Sequence, residues 1–393
     1  MDPRREPPVS TGERGGTRAL LIGASLWTVL MAHLLRLPCR VPGWDAAERL
    51  PGLCAPGTAP AGPAGEQPAL VGMLTGVLGW FSARVAALLG TDGTVLDGLP
   101  GLLLVLAWVG VVAVVSALSG RRQVDAFVLA LSPVVVLVGF SAWDLLAVLL
   151  MLTALLLHVR GRPLPAGIVL GLAASVALLP LVVLGAVLLQ GLRDRYLRDA
   201  LVVLAGTAAT WLLVNGWTLL TAWERLRPGD GSAAVGEASL WRTWARTGLG
   251  PEAAGTGAWA LPALLLGLAA VLLLVLLARW DPSVVQVSLL LLAVVVLADR
   301  QHPLVHALWL LPLVLLARRR WVELAAWQLV EVLWWTGLVL PGRALPGGVL
   351  LGQDAQEWLT AARLLFVVWF LVAVAVDVLR GRTAMGGAPA RHE

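Results

Sequence analysis

The chain has 393 residues, 59% of them hydrophobic and only 13% charged, and all 29 basic residues are arginine, giving a net charge of +5. A soluble domain is about half apolar and about a quarter charged, so this balance excludes a water-soluble globular enzyme. The arginines gather at the ends of apolar runs, where they set membrane topology rather than bind nucleic acid. The lack of lysine, with an excess of Ala, Val, Leu, Gly and Pro, suggests a GC-rich, actinobacterial type of genome.

Apolar runs of about 17 to 24 residues, separated by short Arg-bearing loops, predict an all-α polytopic integral membrane protein with about 11 to 13 transmembrane helices in one domain, residues 17–380. Residues 1–16 read as a disordered cytoplasmic tail. The run 17–37 is too long for a signal-peptide core and reads as an anchor. It delivers a polar loop, PCRVPGWDAAERLPGLCAPGTAPAGPAGEQP, to the outside. This loop holds the only two cysteines, Cys39 and Cys54, and three acids, Asp45, Glu48 and Glu66. Outside a membrane such a cysteine pair forms a disulfide, worth about 3 kcal/mol on the chain-entropy model; two unpaired thiols are the alternative. The run 69–90 is long enough to span, but charge parity then puts Arg121 and Arg122 outside. Its small residues with Trp80, Ser82 and Arg84 fit an interfacial helix pair instead, so 38–98 is expected to be an extracytoplasmic loop with juxtamembrane helices.

Spans follow at 99–119, 124–140 and 143–158. The segment 163–192 begins and ends beside Arg clusters and is too short for two full crossings. Pro180 near its middle predicts two half-helices meeting around a cavity. Next come 200–220, a second large outer loop at 221–257, then 258–278, 283–298, 304–317, 321–340 and 359–379, with 381–393 as a cytoplasmic tail. Both termini are thus expected in the cytoplasm of a cell-membrane protein. The large loops and the candidate chemistry all face out.

Asp144 at the start of its helix is either a carboxylate favoured by the helix dipole or an acid on the rim of an outward cavity. Asn215 reads as an interhelical hydrogen-bonding residue or a ligand. Glu331 and Arg363 fall inside apolar helices, where ionisable groups face a partner or a cavity; a structural ion pair is the expectation. The loop DRQHPLVH places His302 and His306 four residues apart. That spacing suits a metal, but no third ligand accompanies it, and no metal site is assigned. A neutral histidine accepting a proton, with Arg300 holding a phosphate, is the functional alternative to ordinary interfacial polar residues. The chain has no Walker A loop, no GxGxxG after a strand and no nucleophile elbow.

From Asp299 to Val332 the chain reads DRQHPLVHALWLLPLVLLARRRWVELAAWQLVEV. This resembles the actinobacterial membrane proteins of glycosyltransferase family 87, in which an NKxYSPQY-type loop precedes a WLLPL-type helix, an Arg-rich turn and a WQ…E helix. Other short motifs follow in the same order over about residues 30–380: Pro38-Cys39-Arg40…Trp44…Cys54, Glu66-Gln67-Pro68, Trp143-Asp144-Leu145-Leu146, Gly161-Arg162-Pro163…Leu179-Pro180, Asn215…Trp217, Ser239-Leu240-Trp241, Arg363 and Val376-Asp377-Val378-Leu379. The resemblance implies a GT-C fold with an outward active site. It also implies transfer of mannose, or a similar sugar, from a polyprenyl-phosphate donor to an envelope lipid or glycan. A first-loop carboxylate would act as base and cationic residues would hold the phosphate. No metal and no cofactor is implied, since the donor carries one phosphate. Trp143, Asp144, Asn215, Trp241 and Arg300 fall at substrate-binding positions. The chain departs from the pattern at Gly57, where the family has Asp, at Ala177, where it has Lys, and at Pro303-Leu304-Val305, where SPQ is lost. Asp45 or Glu66 is therefore the expected base, His302 or His306 an assisting group, and Arg300 the phosphate holder. A non-catalytic binder of lipid-linked glycan, or an envelope scaffold, is the rival reading. A transporter, hinted at by 163–192, is a third.

Overall fold

The computed structural model describes residues 11–40, 68–89, 99–120, 122–140, 143–194, 197–221, 238–246, 257–339 and 353–382. Among the described residues there are fifteen α-helices and no strand. We number them α1 (Thr11–Arg36), α2 (Ala69–Leu89), α3 (Leu99–Ser119), α4 (Gln123–Ala130), α5 (Pro133–Val138), α6 (Asp144–Val159), α7 (Pro163–Ala174), α8 (Leu181–Arg193), α9 (Leu197–Thr221), α10 (Leu240–Arg246), α11 (Ala260–Leu277), α12 (Val284–Ala298), α13 (His306–Ala317), α14 (Trp321–Val339) and α15 (Gln353–Leu379). Six of them, α1, α2, α3, α9, α11 and α15, are long and apolar enough to cross a bilayer alone, and α6, α7, α8, α12 and α13 are shorter apolar helices. The protein is an all-helical, multi-pass membrane protein.

Local chemistry sets the breaks. Pro133 and Pro163 sit at helix starts, where the missing N–H costs nothing. Gly161, at φ +70°, lets the chain reverse in the tight turn between α6 and α7. Ser283 and Gln286 form a capping box that opens α12. The span expected at 124–140 is two helices, because Pro133 cannot continue the α4 ladder. The carbonyls freed there and at the end of α5 are satisfied from α1: Thr28 donates to the Ala130 carbonyl, and Arg36 Nη2 donates to the Leu137 carbonyl at 2.8 Å. The pair of helices expected at 69–90 is instead one unbroken helix, α2, since nothing in Ala69–Leu89 interrupts the ladder. Helicity also begins at Thr11, before the first apolar run.

The centre of the bundle is the hairpin α12–α13. Every residue of α13 is buried, and nearly every residue of α12. Around it, α8, α11 and α15 pack on α12, while α3, α4, α5, α6 and α14 pack on α13. A helix apolar on all sides belongs inside a bundle, not on its surface.

The expected half-helices at 163–192 are present as α7 and α8, broken over residues 175–180. Gly167 and Gly171 let α7 lie backbone to backbone on α9: a Cβ there would meet the Val203 and Thr207 carbonyl oxygens at 2.5 and 2.7 Å. The contacts make α7 run parallel to α9, and α8 then returns along α12. Arg193, at the end of α8, donates to the Val275 and Ala278 carbonyls and pairs with Asp281 at 3.0 Å.

Candidate functional site

The helix directions leave two polar ends. At the arginine end, Arg318 grips Glu323 with both prongs at 2.8 and 3.1 Å and also donates to Asp377. Arg319 pairs with Asp125 at 3.4 Å, and the Trp321 indole donates to the same carboxylate at 3.1 Å. These ion pairs and hydrogen bonds clamp α4, α14 and α15 together. Sequence reading passed over Asp125 and Glu323, whose only signal was an acid placed next to an Arg cluster.

The opposite, histidine end gathers most of the described candidates. Asp299 terminates α12. Its Oδ1 accepts from the Gln301 amide at 3.1 Å, which shapes the loop, and its Oδ2 lies 3.3 Å from His306 Nε2. His306 Nδ1 lies 3.5 Å from His302 Nδ1. His302 is 1% exposed and holds φ +38°, a left-handed conformation that costs a non-glycine residue about 1–3 kcal/mol. Burial holds the His302 imidazole well below the ordinary histidine range, the Arg363 guanidinium and His306 add to this, and the Val296 carbonyl opposes it.

The Glu331–Arg363 pair joins α14 to α15, with Arg363 Nε 2.7 Å from Glu331 Oε2 and side-chain exposures of 1% for Arg363 and 2% for Glu331. The Trp327 indole donates to the other Glu331 oxygen at 3.1 Å, and Arg363 stacks over the Trp334 ring at 3.9 Å. Trp334 in turn donates to Thr360 at 2.9 Å. Trp327, Glu331 and Trp334 follow helical spacing along α14, so their shared face was open to sequence reasoning.

The other sequence candidates lie around this group. Asp144 accepts from the Trp309 indole at 3.1 Å, tying α6 to the hairpin, and Trp143 is the buried residue that opens α6. The Trp241 indole donates to the Ala298 carbonyl at 2.9 Å, immediately before Asp299. Asn215 donates to Ser175 Oγ at 2.9 Å and to the Trp211 carbonyl at 3.0 Å, bridging α9 to the end of α7. Arg300 is half-buried and already engaged. Cys39, in a short turn after α1, is disulfide-bonded. Cys54, Asp45, Glu48, Glu66 and Gly57 lie outside the described residues. Among the described residues no group of three or more His, Cys, Asp and Glu could hold a metal ion.

An apolar groove of about 380 Å³ opens at the break between α7 and α8, lined by Leu178, Leu181, Val182, Leu268, Leu291 and Val295. Leu291, Val295 and Asp299 are spaced by four, so one face of α12 carries the groove and then the acid.

A family model described as glycosyltransferase family 87 matches residues 68–299, more than half of the chain. The chain belongs to glycosyltransferase family 87. It is thus a member of a family of membrane glycosyltransferases, and the apolar groove and polar helix ends suit a lipid-linked sugar substrate. The family 87 match ends at Asp299, so His302, His306, Glu331 and Arg363 lie beyond it. No curated protein and no solved structure matches the chain.

Proposed function

We propose that this family 87 protein transfers a sugar, mannose in the simplest case, from a polyprenyl-phosphate donor to an envelope lipid or glycan, at the histidine end and on the extracytoplasmic side. The observation that carries the reading is the Asp299–His306–His302 chain standing one helical turn above an apolar groove. The groove suits a polyprenyl chain. Asp299, whose side chain is 32% exposed, suits the reacting end. As the acceptor oxygen bonds to the sugar carbon, its O–H proton passes to a carboxylate. The sugar–phosphate C–O bond breaks and polyprenyl phosphate leaves. Asp299, with its Oδ2 3.3 Å from His306 Nε2 behind it, is our first assignment for that carboxylate, and Asp45 and Glu66 in the first loop are the others. Arg300 and the loop arginines are assigned to the phosphate. Trp143, Asp144, Asn215 and Trp241 are assigned to the walls of the site.

The test is transfer from radiolabelled polyprenyl-phosphate mannose to an envelope lipid extract by the purified full chain. We expect transfer by the wild type and a fall of about 100-fold or more in Asp299→Asn, the range for losing a positioned proton acceptor. A comparable fall confined to Asp45→Asn or Glu66→Gln moves the base to the first loop. Donor binding with no transfer by the wild type sinks the enzymatic reading and favours the non-catalytic one, to which the Gly57 and Ala177 departures point.

A further inference from the structure

The arginine end carries a cleft with chemistry of its own. Residues 319–323 line a space of about 540 Å³ where α13 gives way to α14. Arg318, Arg319 and Arg320 stand in this turn. A fourth cation, Arg122, lies one turn before Asp125, whose amide donates to the Arg122 carbonyl at 3.3 Å. The four are not used alike. Arg318 is held between Glu323 and Asp377, and with the Trp369 indole it already meets the Glu323 carboxylate on both oxygens. Arg319 is committed to Asp125. Arg320 keeps only a long pairing with Glu323 at 3.4 Å, and its side chain is 56% exposed. Arg122 is exposed too, and its side chain pairs with nothing among the described residues. Two cations at the cleft are therefore open to a ligand.

The cleft continues into an apolar surface. Trp321 and Val322 on its wall are exposed, and the exposed residues that follow are Ala325, Ala326, Leu329 and Leu333, one apolar face of α14 at helical spacing. The wall is fixed in place. The Trp321 indole donates to Asp125, and Ser132 donates to Gln328 seven residues further along both segments, so α4 and α14 run side by side in the same direction below the cleft. Tryptophan at a helix end marks the membrane–water boundary. Guanidinium matches the geometry of a phosphate, and the positive end of the α14 dipole adds to its charge. A free phosphate would engage the cations and leave the apolar face unused. A phosphate headgroup carrying an acyl chain engages both. A zwitterionic headgroup also brings an ammonium among arginines, whereas a net-negative one does not.

We propose that this cleft binds an anionic phospholipid, with the headgroup phosphate at Arg122 and Arg320 and an acyl chain along the outward face of α14. The site lies at the opposite end of the bundle from the proposed reaction and does not depend on it.

The test mixes the purified full chain in detergent with equal amounts of phosphatidylglycerol and phosphatidylcholine and weighs the complexes by native mass spectrometry. We expect phosphatidylglycerol to be retained in preference to phosphatidylcholine. Arg122→Gln and Arg320→Gln remove exposed charges that no buried carboxylate needs. Each should weaken phosphatidylglycerol binding about fivefold, and the two together about 25-fold, the worth of an arginine at an anionic membrane surface. Arg160→Gln, at an exposed arginine in the turn after α6, should change binding little. Equal retention of the two lipids by the wild type overturns the proposal, whatever the variants do. So does a loss in Arg160→Gln as large as in Arg320→Gln, which reduces the preference to the general charge of this end. Displacement of the lipid by millimolar inorganic phosphate or glycerol phosphate makes the cleft a free-phosphate site and overturns the assignment to a lipid.

Discussion

Glu331 and Arg363 were legible in the sequence because a charge inside an apolar run demands a partner, and only these two lay in facing helices. What could not be read was how they pair. The single prong and the indole on the second oxygen depend on rotamers set by packing. Truncating one partner strands the other, so Glu331→Ala is expected to destabilise the protein by about 3–5 kcal/mol, whereas Glu331→Gln/Arg363→Gln should cost much less; thermal unfolding in detergent checks both. His302 adds a pH dependence. Its folded pKa lies below the unfolded value, so unfolding takes up a proton. The stability it contributes is complete above about pH 6.5 and is lost as pH falls below that. The melting temperature should therefore drop between pH 7 and pH 5, and His302→Gln should flatten the drop. Nothing in the local sequence announced the left-handed backbone at His302.

At the scale of elements, 163–192 was readable because its length, the flanking arginines and Pro180 all gave the same answer. The break at Pro133 was not, because the apolar run continues across it and the rescue of its carbonyls comes from α1, about a hundred residues away in sequence. The continuity of α2 was missed for another reason: charge parity constrains where a helix lies, not whether it breaks. The α7–α9 contact carries its own test. A side chain at Gly171 meets the Thr207 carbonyl oxygen at 2.7 Å, and backbone cannot swing aside. Gly171→Val should cost about 1–3 kcal/mol or more by overpacking, read as a lower melting temperature, and should also part Asn215 from Ser175. Gly76→Val in α2, where an added Cβ meets nothing within 4 Å, is the control.

For the whole molecule, the class was plain from composition alone, and the burial of α12–α13 followed from helices apolar on every side. The assembly of the histidine end was not plain, since Asp144, Asp299, Glu331 and Arg363 come from four helices spread over more than half the chain. The expected orientation has a direct check. Cysteine placed at exposed Gln301 should react with a membrane-impermeant maleimide on intact cells, and cysteine at Arg320 only after lysis; the opposite pattern would turn the protein over. The short hairpin α7–α8 has a further consequence. At about 18–20 Å its helices fall well short of a hydrocarbon layer of about 30 Å. Yet Leu178 and Leu181 at its tip are 66% and 37% exposed. Lipid meeting this flank must thin toward the groove, so a headgroup arriving there rides lower than its neighbours. The surrounding bilayer becomes part of the catalyst's geometry, and transfer should slow as the host lipids' acyl chains are lengthened.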